Sequence, residues 1–187
     1  MKKGWTTIKL ITTGSLAVLF LIISLLGGVI NATTGIPIMG GAINSFVTPA
    51  MTVLCLLIIN KFGSATLMLA IVGILELPFP LTGTPGFLPK ILILIIAGLF
   101  ADSVFSLDKN KKLACISIGG PMMVYLGWSI VLLGRLFNMP GVDRAAQLAS
   151  SPPIIVLGLI MGSVGSYLGY LVYQKVKETS IVKRIQN

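Results

Sequence analysis

LITTGSLAVLFLIISLLGGVI, residues Leu10 to Ile30, runs for twenty-one residues without a charge, and its length decides the fold. A hydrocarbon core about 30 Å thick takes about 20 apolar residues as a helix, whereas the apolar segment of a cleaved signal peptide runs for about 7–15. The stretch follows Lys2, Lys3 and Lys9 and reads as an anchored first transmembrane helix. Comparable runs recur along the chain and predict helices over about 9–30, 43–60, 63–79, 88–107, 113–137 and 153–174. They are separated by Gly-, Pro- and Asn-containing breaks, the densest being Pro78 to Pro89 with four prolines. The expected architecture is an all-α membrane protein, residues 1–187 forming one integral domain of six transmembrane helices.

Composition agrees with a bilayer as solvent. Of 187 residues 55% are hydrophobic and 10% charged, with a mean hydropathy of +0.99, against about 25% charged in soluble domains. A net charge of +9 invites a nucleic-acid reading, but the cations fall in short clusters between apolar runs, with no basic face interleaved with aromatics. Anionic headgroups of the lipid bilayer are the better counter-charge, and no nucleic-acid partner is expected. Cys55 and Cys115 each sit inside an apolar run without CxxC spacing, so they read as small buried residues.

Orientation follows from the bias of Lys and Arg toward the cytoplasm. The N-terminus, the second and fourth connections and the C-terminus hold eleven of the fourteen, whereas Lys90, Arg135 and Arg144 lie on the opposite side. Both termini are therefore expected in the cytoplasm. The longer Gly/Pro-rich connections then face outward, where loops are free to carry function.

Residue chemistry argues against an enzyme. The chain has no histidine and five acidic residues, which removes His-based dyads and paired-Asp metal motifs. Gly162-Ser163 and Gly165-Ser166 have no base at hand, and no Gly-x-x-x-x-Gly-Lys-[Ser/Thr] phosphate loop is present. No metal site and no cofactor are expected, and any ATP hydrolysis would fall to another subunit.

Solute binding is the alternative that the polar residues favour. Glu76 lies near the outer end of the third run, where a carboxylate either receives a donor or cation from a ligand or is neutralised by Lys90 or outer water. Lys90, at the start of the fourth run, is open to the same three readings: ligand contact, partner of Glu76, or interface. Pro121, Tyr125, Trp128, Leu132 and Arg135 share one helical face. That stripe reads either as a stacking wall for a flat ligand, with Arg135 above it, or as an interfacial aromatic belt. Asn44, Thr48 and Thr52 put polar groups at the start of the second helix. Asp102, close to Lys109, Lys111 and Lys112, reads as structural. Gly158, Gly162 and Ser166, with Gly165 and Gly169, form small-residue ridges for helix packing within the subunit, and Thr13-x-x-x-Ala17 offers another ridge to a partner protein.

The stretch from Lys61-Phe-Gly through Glu76, then Gly83-Thr-Pro-Gly86, then Gly98-Leu-Phe-Ala-Asp-Ser-Val-Phe105 resembles the S components of energy-coupling factor (ECF) transporters, closest to the thiamine-precursor (hydroxymethylpyrimidine) branch. The likeness covers roughly the central third of the chain. It implies an ECF S-component-like bundle in a prokaryotic cell membrane, capturing a vitamin or vitamin precursor from outside. It also implies a transmembrane T component and two ATPase subunits as partners. Many S components present Ala-x-x-x-Ala on the first helix to the T component, and Thr13-x-x-x-Ala17 is the nearest match here. Substrate contacts would come from Glu76, Tyr125, Trp128, Asn44 and Thr48, with Lys90 or Arg135 meeting any anionic portion. A proton-coupled carrier, an intramembrane lipid-modifying enzyme and a ligand-free assembly factor remain as rivals.

Overall fold

The computed structural model describes residues 4–34, 37–79, 81, 85–108, 110–138 and 142–186, without the side chains of 30–34, 37–42, 142, 144, 145 and 148. Lys2, Lys3, Gly83, Thr84 and Lys109, and the side chain of Arg144, thus lie outside the described residues. Eight helices and no strand occur among those described: α1 (Thr7–Thr34), α2 (Pro37–Ile59), α3 (Ser64–Leu75), α4 (Pro89–Leu107), α5 (Lys111–Leu136), α6 (Val142–Ser150), α7 (Pro152–Val176) and α8 (Ser180–Gln186).

Four of these, α1, α4, α5 and α7, are long and apolar enough to cross a membrane. The described apolar part of α2, Ile43–Ile59, is shorter, and so is α3. At about 1.5 Å per residue the 12 residues of α3 fall short of a bilayer's thickness. The third helix, expected to reach residue 79, stops at Leu75. Pro78 has no N–H to continue the ladder, and Leu77 before it is biased away from helical geometry. The chain turns there instead, with Phe79 N–H donating to Glu76 O. Two short helices, α6 and α8, were not expected, because their polar residues hide them from a search for apolar runs.

α2 is the axis of the bundle. Val53, Cys55, Leu56 and Ile59 are wholly buried, and α1, α3, α4, α5, α7 and α8 all touch it. Around it the helices run α1, α3, α4, α5, α7 in order of contact. The outward faces of the long helices are apolar: Ile11, Val18 and Ile22 on α1, Leu92 and Leu99 on α4, Val156, Ile160, Leu168 and Val172 on α7 are all exposed. So much contiguous apolar surface suits lipid rather than water.

Glycines set the closest approaches. A Cβ at Gly119 or Gly162 would collide with the backbone of the other, joining α5 to α7, and one at Gly165 or Gly169 would collide with Phe46 or Ala50 on α2. The ridge on α7 therefore works inside the subunit, as its spacing suggested.

The ridge on α1 does not face outward. Thr13 and Ala17 are both 0% exposed, and the Thr13 hydroxyl donates to Lys9 O. The expectation that they meet a partner protein is corrected: small size at these positions lets α1 close on its own neighbours.

α3 and α4 form an antiparallel pair fastened at both ends by α4. Asp102, near the C-terminal end of α4, accepts from Ala65 N–H at 3.3 Å and from Thr66 N–H and hydroxyl at 2.9 and 2.6 Å. Lys90, at its N-terminal end, donates to the carbonyls of Glu76 and Phe79, each at 3.1 Å. An anion thus meets the N-terminus of α3 and a cation its C-terminus, where the unsatisfied N–H and C=O groups of a helix lie.

Candidate functional site

Every helix from α1 to α7 contributes to one cavity of about 350 Å³. Its lining comes from the second half of α1, the first half of α2, the C-terminal end of α3, the first turns of α4, the second half of α5 and the first turns of α7. Because successive long helices run in opposite directions, all of these segments lie at the end of the bundle away from both termini. α8 closes the other end, where the Gln186 side-chain amide donates to Leu57 O and to the Tyr173 hydroxyl at 3.0 and 3.1 Å.

Most of the wall is apolar, with Phe20, Leu94, Leu126 and Ile155 among its members, and a few polar groups converge on it. Glu76, 3% exposed, caps the C-terminus of α3 and reaches the cavity from there. Asn44, Ser45 and Thr48 come from α2, Ser24 from α1 and Trp128 from α5. Trp128 is 43% exposed and stands at the rim. The buried Ser24 Oγ and Asn44 Oδ1 have no hydrogen-bond partner among the described residues. Leaving such a group unmade costs about 1–3 kcal/mol, so two lining atoms are set to receive one. Concave shape, apolar wall and a few convergent polar atoms are the general form of a small-molecule site.

Of the seven residues expected to bind substrate, Glu76, Trp128, Asn44 and Thr48 line this cavity. Lys90, Tyr125 and Arg135 do not, and each is accounted for elsewhere. Lys90 is 0% exposed with its ammonium on the Glu76 and Phe79 carbonyls in the turn after α3, where the Glu76 charge also acts on it. Tyr125 donates from its hydroxyl to Ile93 O at 3.3 Å, toward α4. Arg135 is exposed and lies 3.8 Å from Asp143 on α6. Pro121 and Leu132 of the same stripe are exposed as well, while Tyr125 packs against the core, so the stripe is no single wall and only Trp128 of it lines the cavity. Those three assignments are corrected for this physical reason.

Sequence reasoning missed Ser24, and it gave Gly158 to the wrong task. A Cβ at Gly158, or at Gly127 opposite it on α5, would meet nothing within 4 Å. Both glycines line the cavity and keep it open, unlike Gly162, one turn along α7. Ser24 did leave a signal, as the one hydroxyl between Leu16 and Ile30, three residues before Gly27 and Gly28.

No protein-family model matches the chain, nor does any curated protein or solved structure. The fold and site together define an all-α protein of membrane character, with a solute-sized cavity at the end of the bundle remote from its termini.

Proposed function

We propose that this protein is the substrate-binding subunit, or S component, of an ECF-type importer in a prokaryotic cell membrane. Its six membrane segments are α1, α2, α3 with the turn that follows it, α4, α5 and α7, with both termini in the cytoplasm, and it captures a vitamin or vitamin precursor from outside. A transmembrane T component and two ATPase subunits supply the energy for release inside. The observation that carries the reading is the cavity: about 350 Å³, largely apolar, holding Glu76, Asn44 and Trp128, and placed at the end that the positive-inside bias makes extracellular. A largely apolar cavity whose described lining holds one carboxylate suits capture rather than turnover.

Co-expression with T and ATPase subunits in a host lacking such transporters tests it. Labelled thiamine precursors and other water-soluble vitamins are then offered to membrane vesicles. Accumulation that requires both ATP and the partner subunits supports the proposal. Accumulation by this chain alone under a proton gradient would replace it with the carrier reading, in which Glu76 is the coupling group.

A further inference from the structure

We infer that the opposite end of the bundle carries a second site, a groove that holds the phosphate of an anionic phospholipid from the leaflet beside both termini. The groove shares no lining residue with the solute cavity, so either site can fail without the other.

The groove has a volume of about 660 Å³ and lies between the C-terminal ends of α2, α4 and α7, the N-terminal end of α5 and the last residue of α8. Lys111 and Lys112 bring two positive charges to it, and no carboxylate occurs among the described residues of its lining. The nearby Asp108 is turned to its own loop, where it accepts from Asn110 N–H at 2.8 Å. Lys111 Nζ gives one of its three N–H groups to Phe105 O at 2.6 Å and stands 4.0 Å from the centre of the Phe105 ring. Lys112 Nζ lies 6.0 Å from the centre of the Tyr167 ring. These contacts fix the stems of the two cations against α4 and α7 and leave N–H groups for a ligand. Tyr170, Tyr173 and Gln174 add phenol and amide donors. The Tyr173 hydroxyl already accepts from the Gln186 amide at 3.1 Å, so its own proton is the one a phosphate oxygen can receive.

Position selects a lipid over a soluble phosphate. The two lysines open α5, a helix long and apolar enough to cross a membrane, and so stand at headgroup level. Beside them the surface is apolar: Leu113 follows Lys112 on α5, and Tyr167, Leu168 and Leu171 lie on α7, all exposed. An acyl chain on that surface leaves its phosphate at Lys111 and Lys112, whereas a soluble phosphate gains nothing from it.

Full-length protein purified in dodecyl maltoside is titrated with dioleoylphosphatidylglycerol or dioleoylphosphatidylcholine, and native mass spectrometry reads the bound lipid. Phosphatidylglycerol is expected to bind about tenfold or more tightly, because the choline of the other lipid offsets its phosphate. In Lys111→Gln/Lys112→Gln the preference should fall to within about twofold. Lys175→Gln/Lys177→Gln removes the same charge from the same end but outside the groove, and should keep the preference. Lys112→Gln alone spares the Phe105 contact and gives a second reading if the pair melts below the parent; it should cost phosphatidylglycerol about fivefold. Equal losses in the two lysine pairs would reduce the effect to general surface charge and overturn the site, as would a preference that survives Lys111→Gln/Lys112→Gln. Displacement of phosphatidylglycerol by millimolar inorganic phosphate would overturn the lipid as the source of the phosphate.

Discussion

Asp102 accepts three hydrogen bonds from the first turn of α3, two of them from Thr66 alone, at 2.9 Å from its N–H and 2.6 Å from its hydroxyl. The carboxylate is 1% exposed, and its charge is balanced by backbone donors at a helix N-terminus rather than by a lysine. Asp102→Asn puts an amide N–H₂ where an acceptor is needed. We expect it to cost about 2–4 kcal/mol, read as a lower melting temperature in detergent. Wild-type melting in Asp102→Asn would contradict the capping role.

Lys90 completes the pair at the other end of α3. Lys90→Met keeps the length of the stem but removes the donor shared by the Glu76 and Phe79 carbonyls, of which Glu76 O keeps the Phe79 N–H, and a loss of about 1–3 kcal/mol is expected. Ligand affinity should change less than it does in Glu76→Gln, because the ammonium does not line the cavity. Isothermal titration with both variants compares the two, and a larger affinity loss in Lys90→Met would return Lys90 to the ligand.

Glu76→Gln preserves shape and removes charge. Charge-assisted hydrogen bonds exceed neutral ones by about 1 kcal/mol, so affinity for the resident ligand should fall several-fold while insertion and yield stay normal. Equal affinity would remove Glu76 from the list of ligand contacts.

The glycines of α7 divide by what faces them. Gly162→Leu drives a side chain into the backbone of Gly119, and overpacking of this kind costs about 1–3 kcal/mol or more. Gly158→Leu, one turn away, meets open space and should melt as the parent does. Thermal unfolding of the two variants side by side separates a packing glycine from a cavity glycine.

Acid loosens the C-terminal end. Glu178 is held below its ordinary value of 4.5 by the hydrogen bond and charge of Lys183, 3.0 Å away. A depressed carboxylate contributes only while ionised, so its small, solvent-screened support of α8 is complete above the ordinary carboxylate range. That support is lost as pH falls through the lowered value. The exchange protection factors of Val182 and Lys183, corrected for the intrinsic pH dependence of amide exchange, are expected to fall below pH 4.5 and to stay constant between pH 6 and 8.

Apolar run length located the long helices because lipid and core impose the same requirement, one uninterrupted stretch. It failed at α3, α6 and α8. In α3 the stop comes from Pro78 and the turn after Glu76, inside a run that remains apolar. α6 owes its form to a polar face around Asp143 and Gln147. Half of the cavity was legible for a related reason: Glu76, Asn44 and Thr48 are polar groups in apolar surroundings, which a sequence displays. Whether a cation nearby serves ligand or helix is a matter of direction in space, and spacing along the chain does not carry it. Lys90 and Arg135 were therefore assigned to ligand when one serves α3 and the other α6. Gly158 illustrates the same limit, since a glycine that admits a helix and one that admits a ligand look alike in sequence.

A small solute held in the cavity between Glu76, Asn44 and Trp128 would leave with the protein through purification, and mass spectrometry of molecules released from the purified protein detects it. One small, water-soluble compound at near-stoichiometric amount is expected from the parent and none from Gly158→Leu prepared in parallel. Equal release from both, or lipid alone from the parent, would contradict that expectation.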